Sequence, residues 1–380
     1  MQDAYEKICQ NRKYFNPFIS ENPLNEAMWK SEKAELLQGV PINIEKIDFL
    51  WKKCLTISRK KLYTKYRRNM MFEMRLKALA KINLGLDVLR RREDGYHEVK
   101  MVMQTIHLYD KIVLKKMKKS EIRVKTNLFY LPENENNLVY QAAKLLMDEF
   151  DIEGGIAIDL KKFIPVAAGM AGGSSDAAAV LFGMNRMFRL KLSRKELMER
   201  GVKIGADVPY CIMRGTALAE GIGEQLSVLP PMPTCKVLVA KPPISVSTKF
   251  VYENLKLDDS TLHPDMESLT KAIKEGDLQG IAAHMGNVLE SVTIPNYPVI
   301  AQIKEEMIKG GALNAMMSGS GPTVFGLFQD EELARETYQK LRKGDLAKQV
   351  YLTDIYNNPA SYSVSPSTDP RVNGTETGIF

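Results

Sequence analysis

From Met74 the chain alternates between apolar and polar positions. Leu76, Ala78, Ala80, Ile82, Leu84, Leu86 and Val88 fall on one face of a predicted strand, and Lys77, Lys81, Asn83 and Asp87 fall on the other. The segment RREDGYH predicts a turn, with Asp94-Gly95 as its signal. Further strands are predicted at VKMVMQTI, DKIVLKK and EIRVKT, an amphipathic helix at NNLVYQAAKLLMDEF, and a strand at GGIAIDLKK. DAAAVLFGMNRMF has helical spacing, with Val180, Met184, Met187 and Phe188 on one side. The next helix carries its own signals: Ser193 and Glu196 make a capping box, Gly205 is placed to end the helix, and Pro209 lies beyond it. Asp207 is thereby set in a short turn after a rigid element. LPPMPT at 229–234 marks a boundary. Past it, CKVLVAKP reads as a buried strand, MESLTKAIKEG and PVIAQIKEEMIKGG as helices, and VFGLF as a strand. Strands and helices mix without regular βαβ repetition, which predicts an α+β fold in two lobes.

The ends break this pattern. Residues 1–73 are rich in Lys, Glu, Asn and aromatics and finish in the basic run RKKLYTKYRRN. They read as an extension outside the catalytic fold, the run being a solvated face rather than a docking arm for RNA or membrane. Residues 357–380 have the Ser, Thr, Pro, Asn and Gly content of a disordered tail. The predicted organisation is therefore an extension at 1–73, an N-lobe at 74–232, a C-lobe at 233–356 and a tail at 357–380.

Composition narrows the class of function. Hydrophobic residues at 44% and charged residues at 26% are globular values, and the net charge of +7 suits anionic ligands without indicating nucleic acid. No stretch reaches the ~18 apolar residues of a membrane helix, and the N-terminus lacks the apolar core of a signal peptide. Cys9, Cys54, Cys211 and Cys235 are scattered, with no CxxC pair. The expectation is a reduced, cytoplasmic protein without structural zinc and with no residues assigned as metal ligands, acting on neither nucleic acid nor membrane.

Candidate chemistry concentrates in PVAAGMAGGSSDAA at 165–178. Small residues before a helix let an anion reach the backbone N–H groups at its positive end, and phosphate is the usual occupant. Pro165, Gly169, Ala171, Gly172, Gly173, Ser174 and Ser175 form the candidate phosphate loop, the serines adding hydroxyl donors or a ligand for phosphate-bound magnesium. The alternative is a glycine turn that only lets helix and strand pack closely. A P-loop is excluded because no Lys follows, and a dinucleotide fingerprint because the loop comes late with the wrong spacing. Ala167, Ala168 and Ala171 are expected at negative φ, where alanine still permits close approach. Phosphoryl transfer also needs a positive charge near the transferred group and a residue to orient or deprotonate the acceptor hydroxyl. Lys81 and Asp207 are the candidates for those roles.

Together, AKINL at 80–84, DGYH at 94–97, the glycine loop, GADVP at 205–209 and SGSGPT at 318–323 stand in the order of the GHMP kinases. The chain resembles that superfamily over roughly Met74 to Tyr356, and within it is most similar to the 4-diphosphocytidyl-2-C-methyl-D-erythritol kinases. The resemblance implies a ribosomal-S5-like N-lobe and a ferredoxin-like C-lobe with the site in the cleft between them. It implies ATP with Mg2+ as co-substrate and a cytidine-diphosphate-linked methylerythritol as acceptor. Carried over by position, Asp207 is the catalytic base and Lys81 its charged partner near the γ-phosphate. Asn83 holds the substrate, Tyr96 stacks on the cytosine, and His97 hydrogen-bonds it. Thr248 and Tyr252 complete the substrate pocket, with Gly319, Ser320 and Gly321 beside it. The alternatives are a homoserine- or mevalonate-type kinase, for which a cytidine-stacking pair has no purpose, and a non-catalytic family member, against which Lys81 and Asp207 argue.

Overall fold

The computed structural model describes residues 73–258 and 261–358. The expected extension, apart from its last residue, and residues 359–380 of the expected tail lie outside the described residues. The first described elements are a long antiparallel pair, β1 (Glu73–Arg91) and β2 (His97–Met117). There follow β3 (Ile122–Thr126), α1 (Leu138–Glu149), β4 (Gly155–Lys161), α2 (Gly172–Phe188), α3 (Arg194–Val202), α4 (Val208–Met213), β5 (Thr216–Glu220) and β6 (Gln225–Val228). The sheet runs β3-β4-β2-β1, with β5 also paired to β2 and β6 to β5. The buried side of α2, with Val180, Leu181 and Met184, packs into the same core as Leu76, Leu114 and Ile158.

Local physics departs from the simple alternation. The two strands predicted at VKMVMQTI and DKIVLKK are one strand, β2. Leu79 faces Tyr109 while Lys81 faces Thr105, so the intervening residues bulge rather than turn. β1 does not keep a single apolar face either. Leu76, Ala78, Leu86 and Val88 join one core cluster, and Ala80, Ile82 and Leu84 another. Register shifts at Leu79/Lys81 and Asn83/Gly85 coincide with these changes of partner. The polar face is not solvated: Lys81, Asn83 and Asp87 are buried. α2 begins at Gly172, taking Gly172 to Ser175 into its first turn. Pro209 lies inside α4, and Asp207 is that helix's N-cap residue. The capping box of α3 forms as read, with Ser193 N donating to Glu196 Oε2 at 2.8 Å.

The second lobe contains β7 (Lys236–Lys241), α5 (Thr248–Asn254), α6 (Met266–Glu275), α7 (Leu278–Ala283), β8 (Gly286–Asn287), α8 (Glu290–Asn296), α9 (Val299–Lys309), β9 (Asn314–Met317), β10 (Val324–Phe328), α10 (Glu331–Lys343) and β11 (Gln349–Asp354). Four of these strands form an antiparallel sheet in the order β11-β7-β10-β9. β8 leaves that sheet and pairs in parallel with β1, Gly85 opposite Gly286 and Leu86 opposite Asn287. A two-residue strand from the C-terminal half thus extends the first sheet. Asn357 and Asn358, assigned from composition to the tail, donate to the carbonyls of Met232 and Met213. Among the described residues no helix is long and apolar enough to cross a membrane.

Candidate active site

The start of α2 has no side-chain cap. Its N-cap residue is Ala171, and its first turn carries no acid. The N–H groups of the first turn have no acceptor within the helix, and the helix dipole adds positive potential there. Ala167 and Ala171 have φ of 49° and 52°, so the expectation of negative φ fails at both. The left-handed region costs an L-residue about 1–2 kcal/mol, and contacts from both lobes hold the loop in it. Lys81 N donates to Met170 O at 3.2 Å, and Ser318 Oγ to Gly169 O at 3.0 Å. At Gly169, with φ of 71°, a Cβ would overlap the Ser318 carbonyl oxygen. Pro165 is buried at the head of the loop. Ser175 is buried and donates to Leu79 O at 2.7 Å, so its hydroxyl fastens α2 to β1 rather than serving a ligand. Ser174 is half-buried, and its hydroxyl has no hydrogen bond among the described residues.

Lys81 Nζ donates to Asn83 Oδ1 at 2.6 Å, and neither side chain reaches solvent appreciably. The Asn83 amide points to Met101 Sδ at 3.5 Å. A Cβ on Gly319 would stand 3.6 Å from Asn83 Oδ1, which places the 318–323 loop against this pair. Asp207 is half-buried at the start of α4; its carboxylate caps nothing and has no hydrogen bond or ion pair among the described residues. The Lys81 ammonium therefore bonds Asn83, not Asp207. The charge of Asp207 is nonetheless felt nearby. Burial, with that negative charge added, pushes the Tyr252 phenol up to about 12. Burial also raises the Cys211 thiol, Asp207 reinforcing the effect and Lys81 opposing it.

A second group gathers aromatic rings. Asp94 Oδ1 accepts from Tyr96 N at 3.1 Å and shapes the turn after β1, while the Arg92 guanidinium holds the Asp94 carboxyl below its usual range. Tyr96 is 62% exposed. The His97 and Tyr252 rings lie 5.0 Å apart at an interplanar angle of 42°. Burial and the charge of Arg91 lower the His97 pKa, leaving a neutral imidazole with one donor and one acceptor. Thr248 Oγ1 and Ser320 Oγ share a hydrogen bond of 2.8 Å, joining α5 to the 318–323 loop. In that loop Gly319 and Gly321 have φ of 58° and 86°. Sequence reasoning missed the residues that hold the loop. Asn287 Nδ2 donates to Met317 O and Gly319 O, each at 2.8 Å, and Glu290 Oε1 accepts from Met317 N at 2.7 Å. Neither residue stands in a motif; only the fold brings β8 and α8 to the loop.

The family model for the GHMP kinases N terminal domain matches residues 137–215, and the model for the GHMP kinases C terminal domain matches residues 269–345. A protein of Lachnospira eligens named 4-diphosphocytidyl-2-C-methyl-D-erythritol kinase is 62% identical over 286 residues, covering 75% of this chain and 99% of that relative. The chain belongs to the GHMP kinases. A second relative of this GHMP kinase, of the same name and from Lachnoclostridium phytofermentans, is 56% identical over 283 residues, 74% of this chain and 97% of that one. Among solved structures, a 4-(cytidine 5'-diphospho)-2C-methyl-D-erythritol kinase superposes with a TM-score of 0.65 at 31% identity, covering 75% of this chain and all of the other. A homoserine kinase from Cytophaga hutchinsonii, with a TM-score of 0.62 at 21% identity over 74% of this chain and 93% of that chain, shares the fold. The two-lobed α+β architecture is thus that of a GHMP kinase, a small-molecule kinase that uses ATP.

Proposed function

We propose that this chain transfers the γ-phosphoryl group of ATP to the 2-hydroxyl of 4-diphosphocytidyl-2-C-methyl-D-erythritol, in the cytoplasm, as a step of non-mevalonate isoprenoid synthesis. The observation that carries this reading is the His97–Tyr252 ring pair, next in sequence to the exposed Tyr96. A pyrimidine needs flat partners and edge hydrogen bonds; homoserine and mevalonate have no use for them. The names of the relatives agree with it.

In this reading the first turn of α2 holds the phosphates. Mg2+ bound to phosphates keeps several waters and needs few protein ligands, and the unpartnered Ser174 hydroxyl fits that need; the ion would neutralise phosphate charge. Lys81, fixed by Asn83, faces its ammonium to the transferring group. The substrate oxygen forms the new bond to phosphorus as the bond to the β-phosphate oxygen breaks, ADP leaves, and Asp207 takes the hydroxyl proton.

Asp207→Asn tests this directly. The carboxylate caps nothing, so the variant should unfold at the wild-type temperature. Its kcat should fall about 10²–10⁴-fold, the usual worth of a general base, while both substrates still bind. A folded variant with near-normal kcat would contradict the assignment.

A further inference from the structure

Three charged side chains meet behind the first turn of α2, and the reaction just described uses none of them. Lys162, which follows β4, donates to Asp176 Oδ2 at 2.6 Å and to Asp110 Oδ2. Lys162, Asp110 and Asp176 are 8%, 0% and 2% exposed, so the cluster is closed to solvent. Asp110, on β2, is further satisfied by the N–H groups of Phe163 and Ile164 at 2.5 and 2.8 Å. The Lys162 backbone is bracketed by the Asn127 amide, at 2.8 and 3.2 Å. Its ammonium lies 3.2 Å from where a Cβ on Gly172, the first residue of α2, would stand. Asp176, on α2, keeps Oδ1 buried with no hydrogen-bond partner.

Stability does not account for such a cluster. Buried charges are expensive to desolvate, and an apolar group of similar volume is often as good or better. Its location offers an account: a fixed positive charge stands directly behind the turn read above as the phosphate site. The charge balance is also finely set. Burial, together with the negative charge of Asp110, raises the Asp176 pKa against the pull of Lys162. Burial acts to lower the Lys162 pKa, but the two carboxylates outweigh it and raise it. Of the three groups, it is the Lys162 ammonium that stands against Gly172.

We propose that Lys162, held by Asp110 and Asp176, is a positioning residue for the nucleotide: it fixes the first turn of α2 and backs it with positive charge, so the cluster sets ATP affinity without touching the reacting atoms. The proposal rests on the reading of that turn as the phosphate site.

The test is equilibrium binding of ATP to the full chain by calorimetry, for wild type, Lys162→Met and Asp176→Asn. Binding of the cytidine substrate and thermal unfolding serve as controls. Lys162→Met should bind ATP about 10–100-fold more weakly, the effect of one unit charge close to an anion in partly buried surroundings, with cytidine-substrate affinity unchanged. Asp176→Asn keeps an acceptor for Lys162. With one carboxylate fewer behind the turn, it should bind ATP at least as tightly as wild type. A Lys162→Met variant with wild-type unfolding temperature and ATP affinity overturns the proposal, as does an Asp176→Asn variant that unfolds like wild type yet binds ATP more weakly. If Lys162→Met does not fold, the Asp176→Asn comparison decides alone. A wild-type protein that binds no ATP overturns the phosphate-site reading and the proposal with it, whereas unaltered variants of a protein that does bind overturn only the proposal.

Discussion

Tyr96 is exposed to solvent, its backbone fixed by Asp94 and its neighbour His97 packed against Tyr252. In the proposed function Tyr96, next in sequence to that pair, is the residue that stacks on the cytosine. Stacking of a base on an aromatic residue is worth ~1–3 kcal/mol. Tyr96→Ala should therefore raise KM for the cytidine substrate by about one to two orders of magnitude and leave KM for ATP in place. Steady-state kinetics with each substrate varied in turn checks this, and equal weakening of both would make Tyr96 a turn residue only. At this scale the sequence announces residue types and hides their partners. Lys81 and Asp207 stand out as a cation and a carboxylate in short motifs, yet the Lys81 ammonium bonds Asn83, its neighbour two residues along the same strand face, and not the Asp207 that the resemblance made its partner. Lys162, Asp110 and Asp176 carry no local signal, because their meeting depends on tertiary packing of β2, the β4–α2 connection and α2.

The element on which the proposed phosphate site depends is the connection from β4 into α2. Its glycines do not all serve the same end: Gly172 and Gly173 are helical, whereas Gly169 is where the chain is pressed against Ser318. Gly169→Ala must accept both a left-handed φ and an overlap with a carbonyl, so it should destabilise the fold by at least about 2 kcal/mol or force the loops apart. Thermal unfolding and ATP titration together read this out; a variant unchanged in both would show that the two loops separate without cost. Strands and helices with strong periodicity were legible, as was the capping box of α3. The single apolar face expected for β1 was not obtained, because bulges hand Ala80, Ile82 and Leu84 to a second core. β8 has two residues, too few to leave a period, and its pairing with β1 is purely long-range.

For the molecule as a whole, the catalytic fold is expected to need neither end. The first relative matches 286 residues of this chain, 99% of its own length, and β1 starts at Glu73. A chain beginning at Met74 should fold with an unchanged unfolding temperature and the same kcat, as measured side by side with the full-length protein. A drop in either would mean that residues before Met74 support the lobes. The fold itself is shared with a homoserine kinase, so architecture does not choose the acceptor; in the proposed function that choice falls to Tyr96, His97 and Tyr252. Release of ADP, followed in a coupled assay with 4-diphosphocytidyl-2-C-methyl-D-erythritol, homoserine and mevalonate in parallel, measures the choice directly. Turnover is expected with the cytidine compound alone. ADP release with homoserine or mevalonate at comparable kcat/KM, or none with the cytidine compound, would contradict the account.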